Sequence, residues 1–248
     1  MDTDTIAESF NADGYMIVPK LFSADEIAEL EAELAAHIRD VVPGQPAGIV
    51  YYEDDPPDVI KSIFKLAQHS EQFAALAHDP RVIAILEASM PGEMICTDVA
   101  YFAKSARDGS VTPPHQDNAF RNYHPPYTLK ASIALDPHTE ANGAMICLKG
   151  SHLHGIFPHR PSGVMSFSQT LTDDVDVTPY PEVSLCMSPG DVAIHHGNTI
   201  HKSSENRTDQ SRRMISLTYA SSLAERDEAA FARVGKERED MHAAKKAG

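Results

Sequence analysis

The sequence predicts a mainly β domain with helices packed around it, a sandwich or barrel of the jelly-roll kind. Three observations carry that expectation. Six strand-sized apolar runs follow one another after Pro91-Gly92, turn residues separate them, and no helical period comes between them. At 248 residues, with 42% hydrophobic and 23% charged residues, the chain is long enough to fold around one sizeable core.

Taken in order, the N-terminal third reads as helical. Ser23 and Glu26 stand at capping-box spacing in "LFSADEIAELEAELAAHIRDV", and Ile27, Leu30, Leu34 and Ile38 then recur on one helical face. The stretches "PPDVIKSIFKLAQH" and "SEQFAALAHDPRVIAILEASM" predict two or three further helices, the last capped by Asp79 with Pro80 at its first position. The β core is expected over about 93–221 in the runs "MICTDVAYFAK", "YTLKASIALD", "GAMICL", "EVSLCM", "DVAIHH" and "RRMISLTYA". Asn142-Gly143 and Pro189-Gly190 mark turns between them. Residues 221–248 return to a charged helix and a tail. Without an internal repeat or a low-complexity linker, the expectation is a single domain over residues 1–248.

Composition excludes several functions. A net charge of -15 argues against nucleic acid, because a phosphate backbone is repelled by such a surface on average. No window supplies the roughly 18 consecutive apolar residues that a membrane helix needs. The opening "MDTDTIAESF" lacks the basic-then-apolar pattern of a secretory leader, and the three cysteines, at 96, 147 and 186, are scattered. A cytoplasmic, reducing setting is expected from both.

The chemistry begins at "PPHQDNAF", residues 113–120. In a strand, residues i and i+2 share a face, so His115 and Asp117 can present an imidazole and a carboxylate to one ion with Gln116 turned away. Two ligands hold a metal weakly, and in a chain with 13 histidines the pair alone reads better as ordinary surface or core polar residues than as a metal site. A Pro-Gly-Asp turn at 189–191 starts a strand that reaches a histidine cluster, and Arg212 follows His201 by eleven residues. Two histidines and one carboxylate with open positions on one side form the facial triad of non-haem Fe(II) oxygenases. The 2-oxoglutarate commonly used with that triad has a distal carboxylate, which an arginine fork grips in bidentate fashion. Arg212 starts an alternating strand in which Met214, Ser216 and Thr218 share its face, while Ile215, Leu217 and Tyr219 share the other. A surface salt bridge is the other reading of Arg212, and Arg213 fits that role.

The segments "HQD" at 115–117, "NGAMICLKGSH" at 142–152 and "PGDVAIHHGNTIHKSSENRTDQSRR" at 189–213 resemble the phytanoyl-CoA dioxygenase (PhyH) family of Fe(II)/2-oxoglutarate-dependent oxygenases. The opening "FNADGYMIVPKLFSADEIAEL" at 10–30 is similar to that family's N-terminal strand and helix, and the resemblance runs from about residue 6 to 221. It implies a double-stranded β-helix core. It also implies that His115, Asp117 and His201 ligate Fe(II), and that Arg212 binds the C5 carboxylate of 2-oxoglutarate with help from the Ser203 hydroxyl. Lys104 then lies near the cosubstrate, and O2 is the second cosubstrate of a hydroxylation that yields succinate and CO2. Relatives often carry tryptophan in a W-x-A-L stretch, whereas here "SIAL" puts Ser132 in its place and the chain has no tryptophan. Because position 117 holds a carboxylate, halogenation is disfavoured.

On the substrate side, Asn118, Arg121 and His196 are the candidate contacts, with Phe120 and His124 close to the iron motif in sequence. His152, His154, His159 and Arg160 in "KGSHLHGIFPHR" suggest a loop near the pocket mouth that suits an anionic group. An acyl-CoA calls for a conspicuous basic patch that this acidic chain does not show, so a small polar metabolite is the expected partner. Two other readings stand beside this one: a cupin-type metal enzyme without 2-oxoglutarate, for which Arg212 and Ser203 are spaced by accident, and a non-catalytic binding protein on the same fold. Oligomeric state is not specified by the sequence.

Overall fold

The computed structural model describes residues 3–46, 48–53, 58–107, 109–164, 167 and 169–247. Helix α1 (Thr3–Asp13) leads through Gly14 into β1 (Tyr15–Val18), and α2 (Ala24–Asp40) follows. The capping box is formed as predicted: the Ser23 hydroxyl accepts from the Glu26 amide at 3.2 Å, and the Glu26 carboxylate accepts from the Ser23 amide at 2.8 Å. Ile27, Leu30 and Leu34 are buried along one stripe of α2, each contributing about 1.5–3 kcal/mol of apolar transfer.

The stretch expected to continue as helix does not. Pro56 and Pro57 lie outside the described residues, and Ile60–Ile63 forms strand β3, paired with β2 (Val50–Tyr52) on one side. Its other side meets β4 (Met94–Lys104), with Ser62 opposite Phe102 and Ile63 opposite Tyr101. A short apolar run fits either period, and the open edge of β4 supplies the backbone partners that decide between them. The helices here are α3 (Glu71–Leu76) and α4 (Pro80–Ser89), the latter capped by Asp79 and opened by Pro80 as predicted.

The remaining elements are β5 (Thr112–His115), α5 (Asn118–Arg121), β6 (Tyr123–His124), β7 (Thr128–Ala134), β8 (Met145–Leu148), β9 (His159–Pro161) and β10 (Gln169–Leu171). After them come β11 (Glu182–Leu185), β12 (Val192–His196), β13 (His201–Ser203), β14 (Arg212–Ser221), β15 (Glu225–Arg226) and α6 (Glu228–Ala247). Seven strands form a large antiparallel sheet in the order β1-β12-β7-β14-β4-β3-β2, and four form a smaller one in the order β11-β8-β13-β5. This is the double-stranded β-helix, a jelly-roll core with helices on its outer side.

Period-2 alternation decides which side of the large sheet each residue takes. Ile133, Ile194, Ile215, Leu217 and Tyr219 are fully buried against helical residues such as Leu30, Leu34, Phe73 and Leu86. The opposite face looks at the small sheet. There Ala134 and Ala193 meet Met145, Cys147 and Leu185 in a second, smaller apolar cluster, and the rest of the gap is lined by charged side chains together with Phe102 and Met214.

The turn before β12 is tied to the N-terminal segment. The Asp191 carboxylate accepts from the Lys20 and Ser188 amides at 2.8 and 2.7 Å. Gly190 has φ +90, and a Cβ there would lie 2.2 Å from the Phe22 carbonyl oxygen, so only glycine fits. Among the described residues no helix is long and apolar enough to cross a membrane.

Candidate metal and cosubstrate site

Strand pairing assembles the predicted triad. β13 lies beside β5 with His201 opposite His115, and their ring centroids are 4.2 Å apart. Asp117 follows β5 by two residues. One ligand atom each from His115, Asp117 and His201 lie within 4.8 Å of one another, all three residues being buried. Gln116 is turned away, but not by the expected strand alternation, since the strand ends at His115 and Asp117 already has helical backbone (φ -58, ψ -36) before α5. Its amide donates to the Gly155 and Asn198 carbonyls and accepts from the Phe157 amide, so it is fully used in holding the loop.

Each histidine is oriented by its own backbone. Nδ1 of His115 donates to the Pro113 carbonyl at 2.8 Å, and Nδ1 of His201 donates to the Thr199 carbonyl at 3.0 Å. A carbonyl only accepts, so both rings are fixed as Nδ1–H tautomers with Nε2 as the bare donor atom. Burial pushes the His115 imidazole down to about 4 and holds His201 well below the usual histidine range, so both are neutral as coordination requires. Burial pushes the Asp117 carboxyl up, but Lys130, His195 and His201 outweigh it and hold the group well below the usual carboxylate range. Two bare imidazole nitrogens and one ionised carboxylate fit a divalent iron and leave its remaining positions open.

From the triad the gap runs to Arg212, at the start of β14. Arg212 is 4% exposed, its Nε is buried without a partner, and burial pushes its guanidinium down to about 10. Its Nη1 reaches only the Met214 sulfur, at 3.9 Å, so no anion among the described residues hydrogen-bonds this buried guanidinium, and the distal carboxylate of 2-oxoglutarate offers one. Lys104 lies directly opposite Arg212 in the β4–β14 ladder and donates to the Ser110 carbonyl. Burial, then Arg212 and Lys61, lower Lys104 to about 7. Ser203 and Met214 line the same cavity, as do Phe102 and Ser132. Ser132 and Ser216 are opposed across β7–β14, and both hydroxyls are buried without partners. Arg213 turns outward to Asp136 and Glu31, in the surface role expected of it.

The substrate candidates divide. His196 does not face the cavity. It shares the outer side of β12 with Val192 and Ile194, accepts from the Asn198 amide at 2.9 Å, and packs against Phe10 and His152. The residue pointing inward is His195, missed in the sequence, whose Nε2 is 3.3 Å from an Asp117 oxygen and whose ring is 4.4 Å from that of His201. Strand parity could have found it, because the large aliphatics Val192 and Ile194 mark the outer face. Lys130 was missed for the same reason: Leu129, Ala131 and Ile133 mark the core face of β7, which turns Lys130 and Ser132 into the cavity.

Asn118 is spent on the loop, accepting from and donating to the Tyr123 backbone at 3.0 and 3.1 Å. Arg121 reaches the inner face of the sheet, donating to the Thr218 hydroxyl at 3.2 Å. Phe120 stacks on His115 at 5.4 Å, while His124 is exposed. The predicted mouth loop serves structure instead. His152 donates to the Asn11 carbonyl, His159 accepts from the Gln116 amide, His154 packs edge-on to Tyr180, and Arg160 pairs with Asp173.

Known proteins agree with this architecture. The family model described as Phytanoyl-CoA dioxygenase (PhyH) matches residues 10–214. An ectoine dioxygenase of Stutzerimonas stutzeri (strain A1501) is 28% identical over 232 residues, covering 86% of this chain and 75% of that protein. A probable alpha-ketoglutarate-dependent hypophosphite dioxygenase of Stutzerimonas stutzeri is 26% identical, covering 85% of this chain and 76% of its own. Among solved structures, EctD from S. alaskensis with 2-oxoglutarate and 5-hydroxyectoine superposes with a TM-score of 0.73 at 24% identity, covering 87% of this chain and 74% of that one. With the family model spanning most of the chain, this protein belongs to the phytanoyl-CoA dioxygenase family and is an iron- and 2-oxoglutarate-dependent dioxygenase.

Proposed function

We propose that this dioxygenase hydroxylates a C–H bond of a small, polar metabolite. The observation that carries the reading is the pairing of two elements in one buried gap: the His115–Asp117–His201 cluster at one end and Arg212, whose Nε has no partner among the described residues, at the other. Bound together, iron and 2-oxoglutarate would activate O2, the oxidant, which takes two electrons from 2-oxoglutarate and two from a C–H bond to give succinate, CO2 and an alcohol.

The chain's own residues hold and exclude. His115 and His201 offer Nε2 because their Nδ1 protons are committed to the backbone. Asp117 supplies the anionic donor, Arg212 and Lys104 take the distal carboxylate with the Ser203 hydroxyl beside them, and Phe102, Phe167 and Met214 keep that end of the gap apolar. Two relatives are named for small polar molecules, ectoine and hypophosphite, and the net charge of -15 disfavours a polyphosphate handle. Both support a small substrate.

The test is succinate release that requires both O2 and 2-oxoglutarate, screened against amino acids, phosphonates, terpenoids and acyl-CoAs. Undiminished succinate production by an Arg212→Ala variant would sink the assignment in favour of a metal enzyme that does not use 2-oxoglutarate.

A further inference from the structure

Beside the iron site lies a set of cations that neither the metal nor 2-oxoglutarate accounts for. Lys130 on β7 has a side chain only 14% exposed, with its ammonium 3.6 Å from an Asp117 oxygen and 4.9 Å from the centre of the Phe102 ring. Across the ladder its Cα partner is Thr218, whose hydroxyl accepts from Arg121, and the Arg121 Nε is buried without a partner. The next strand places Asp98 opposite Thr218; that carboxylate accepts from the Lys65 amide and faces both Arg121 and Lys130, so one carboxylate serves both cations.

Charge balance then decides what this corner needs. The two charges of a ferrous ion are matched by the two of 2-oxoglutarate, and Asp117 offsets Arg212, which leaves Lys104, Lys130 and Arg121 against the one carboxylate of Asp98. Once a dication takes the Asp117 carboxylate, Lys130 loses its nearest counterion and faces a positive centre instead. A buried ammonium on an aromatic face tolerates that position only if another anion stands by it. Arg121, with an unused Nε, meets the same ladder position from the other side, at the hydroxyl of Thr218, the Cα partner of Lys130.

We infer that Lys130 and Arg121 form an oxyanion subsite beside the iron, and that the substrate carries a carboxylate seated there. The inference rests on the dioxygenase reading above and narrows its small polar metabolite to an organic acid. Lys130 and Arg121 then set specificity and position the acid with its reactive carbon towards the metal, while the distal carboxylate of 2-oxoglutarate stays with Arg212.

The experiment measures binding without turnover. Wild-type protein is loaded anaerobically with Fe(II) and 2-oxoglutarate, and the visible absorption of that complex is followed on adding propionate, hexanoate and benzoate, each against its primary amide. At least one acid is expected to bind 10-fold or more tightly than its amide. In Lys130→Met and in Arg121→Gln that preference falls to parity, while the 2-oxoglutarate dissociation constant moves less than 2-fold. Arg121 touches no metal ligand, so its variant keeps the test decisive if Lys130→Met impairs folding.

Absence of any acid preference in wild type, including no binding by any acid, overturns the subsite. So does a Lys130 variant that weakens 2-oxoglutarate rather than the acid, which would give Lys130 to the cosubstrate. If wild-type protein fails to bind Fe(II) or 2-oxoglutarate at all, it is the dioxygenase reading that falls, and the subsite falls with it.

Discussion

His115 and His201 face each other across the β5–β13 ladder as Cα partners, and each ties its Nδ1 to the carbonyl two residues earlier in the chain. The two rings are thus oriented by the strands that bring them together, and Nε2 is presented on both without a dedicated side-chain partner. In metal sites such outer contacts fix tautomer and ring angle, and losing one costs roughly 10–100-fold in affinity or activity.

Asp117 is the sole anionic member of the triad. Asp117→Ala is expected to lower Fe(II) affinity by more than the roughly 100-fold at the upper end for an outer contact, and to abolish succinate formation. Metal content after gel filtration and a succinate assay check both. Stoichiometric iron with near-normal turnover would refute the role.

Arg212, proposed above as the partner of 2-oxoglutarate, is buried with no partner for its Nε among the described residues. Charge-assisted hydrogen bonds of this kind contribute about 1.5–3 kcal/mol each, so Arg212→Ala should raise the 2-oxoglutarate dissociation constant roughly 10- to 100-fold. Arg212→Lys restores only part of that, because the ammonium lacks the planar fork. Calorimetric titration of 2-oxoglutarate into the iron-loaded protein is the measurement.

Lys104 sits at about 7 before the cosubstrate binds, lowered by burial and by Arg212 and Lys61. An incoming carboxylate favours the protonated ammonium, so above that pH binding must take up a proton. The 2-oxoglutarate dissociation constant is therefore expected to rise with pH above about 7, by at most about tenfold per unit. Lys104→Met should flatten the profile, and a flat wild-type profile counts against the assignment.

Gly143 holds φ +77, and a Cβ added there would lie 2.4 Å from the Ser204 carbonyl oxygen and 3.0 Å from Lys104 Cδ. Gly143→Ala should destabilise by about 1–3 kcal/mol and also weaken 2-oxoglutarate binding, since the atoms that must yield neighbour Ser203 and belong to Lys104. Gly155, at φ +76 with nothing within 4 Å, is the control: Gly155→Ala carries the backbone strain alone. Denaturant midpoints and 2-oxoglutarate titrations separate the two effects.

His138 and His196 are each pushed down to about 3 by burial, from an ordinary 6.5. Between those values the unfolded chain binds protons that the folded chain refuses. Stability from these groups is therefore complete above about 6.5 and falls as pH drops, by up to about 1.4 kcal/mol per pH unit for each. Denaturant midpoints that stay level from about pH 7 to about pH 5 would show that this burial is relieved in solution.

Much of the architecture was legible from residue order. "MICTDVAYFAK" is β4 to the residue, and the alternation of "RRMISLTYA" placed Arg212 and Met214 on the cavity side, with Ile215, Leu217 and Tyr219 on the core side. The capping box at Ser23 and the Asp79-Pro80 start were equally plain, because helix ends are closed by groups a few residues away. The metal triad was legible as residue types at set spacings, and Arg212 with it.

What failed, or could not be read, depended on partners distant in the chain. Ile60–Ile63 became a strand because β4 offered an open edge. Thr112–His115 and His201–Ser203 are too short and polar to announce themselves as strands, yet their pairing is what brings the triad together. His195 and Lys130 face inward by the same parity that aims Arg212, but their proximity to Asp117 follows from the register of β12, β7 and β14. By itself the sequence determined most element types, through local propensity, and the family, through its motifs, whose resemblance implied the ligand set. Only the tertiary structure decided which charges share the buried gap, because strand register places them there and burial sets their protonation.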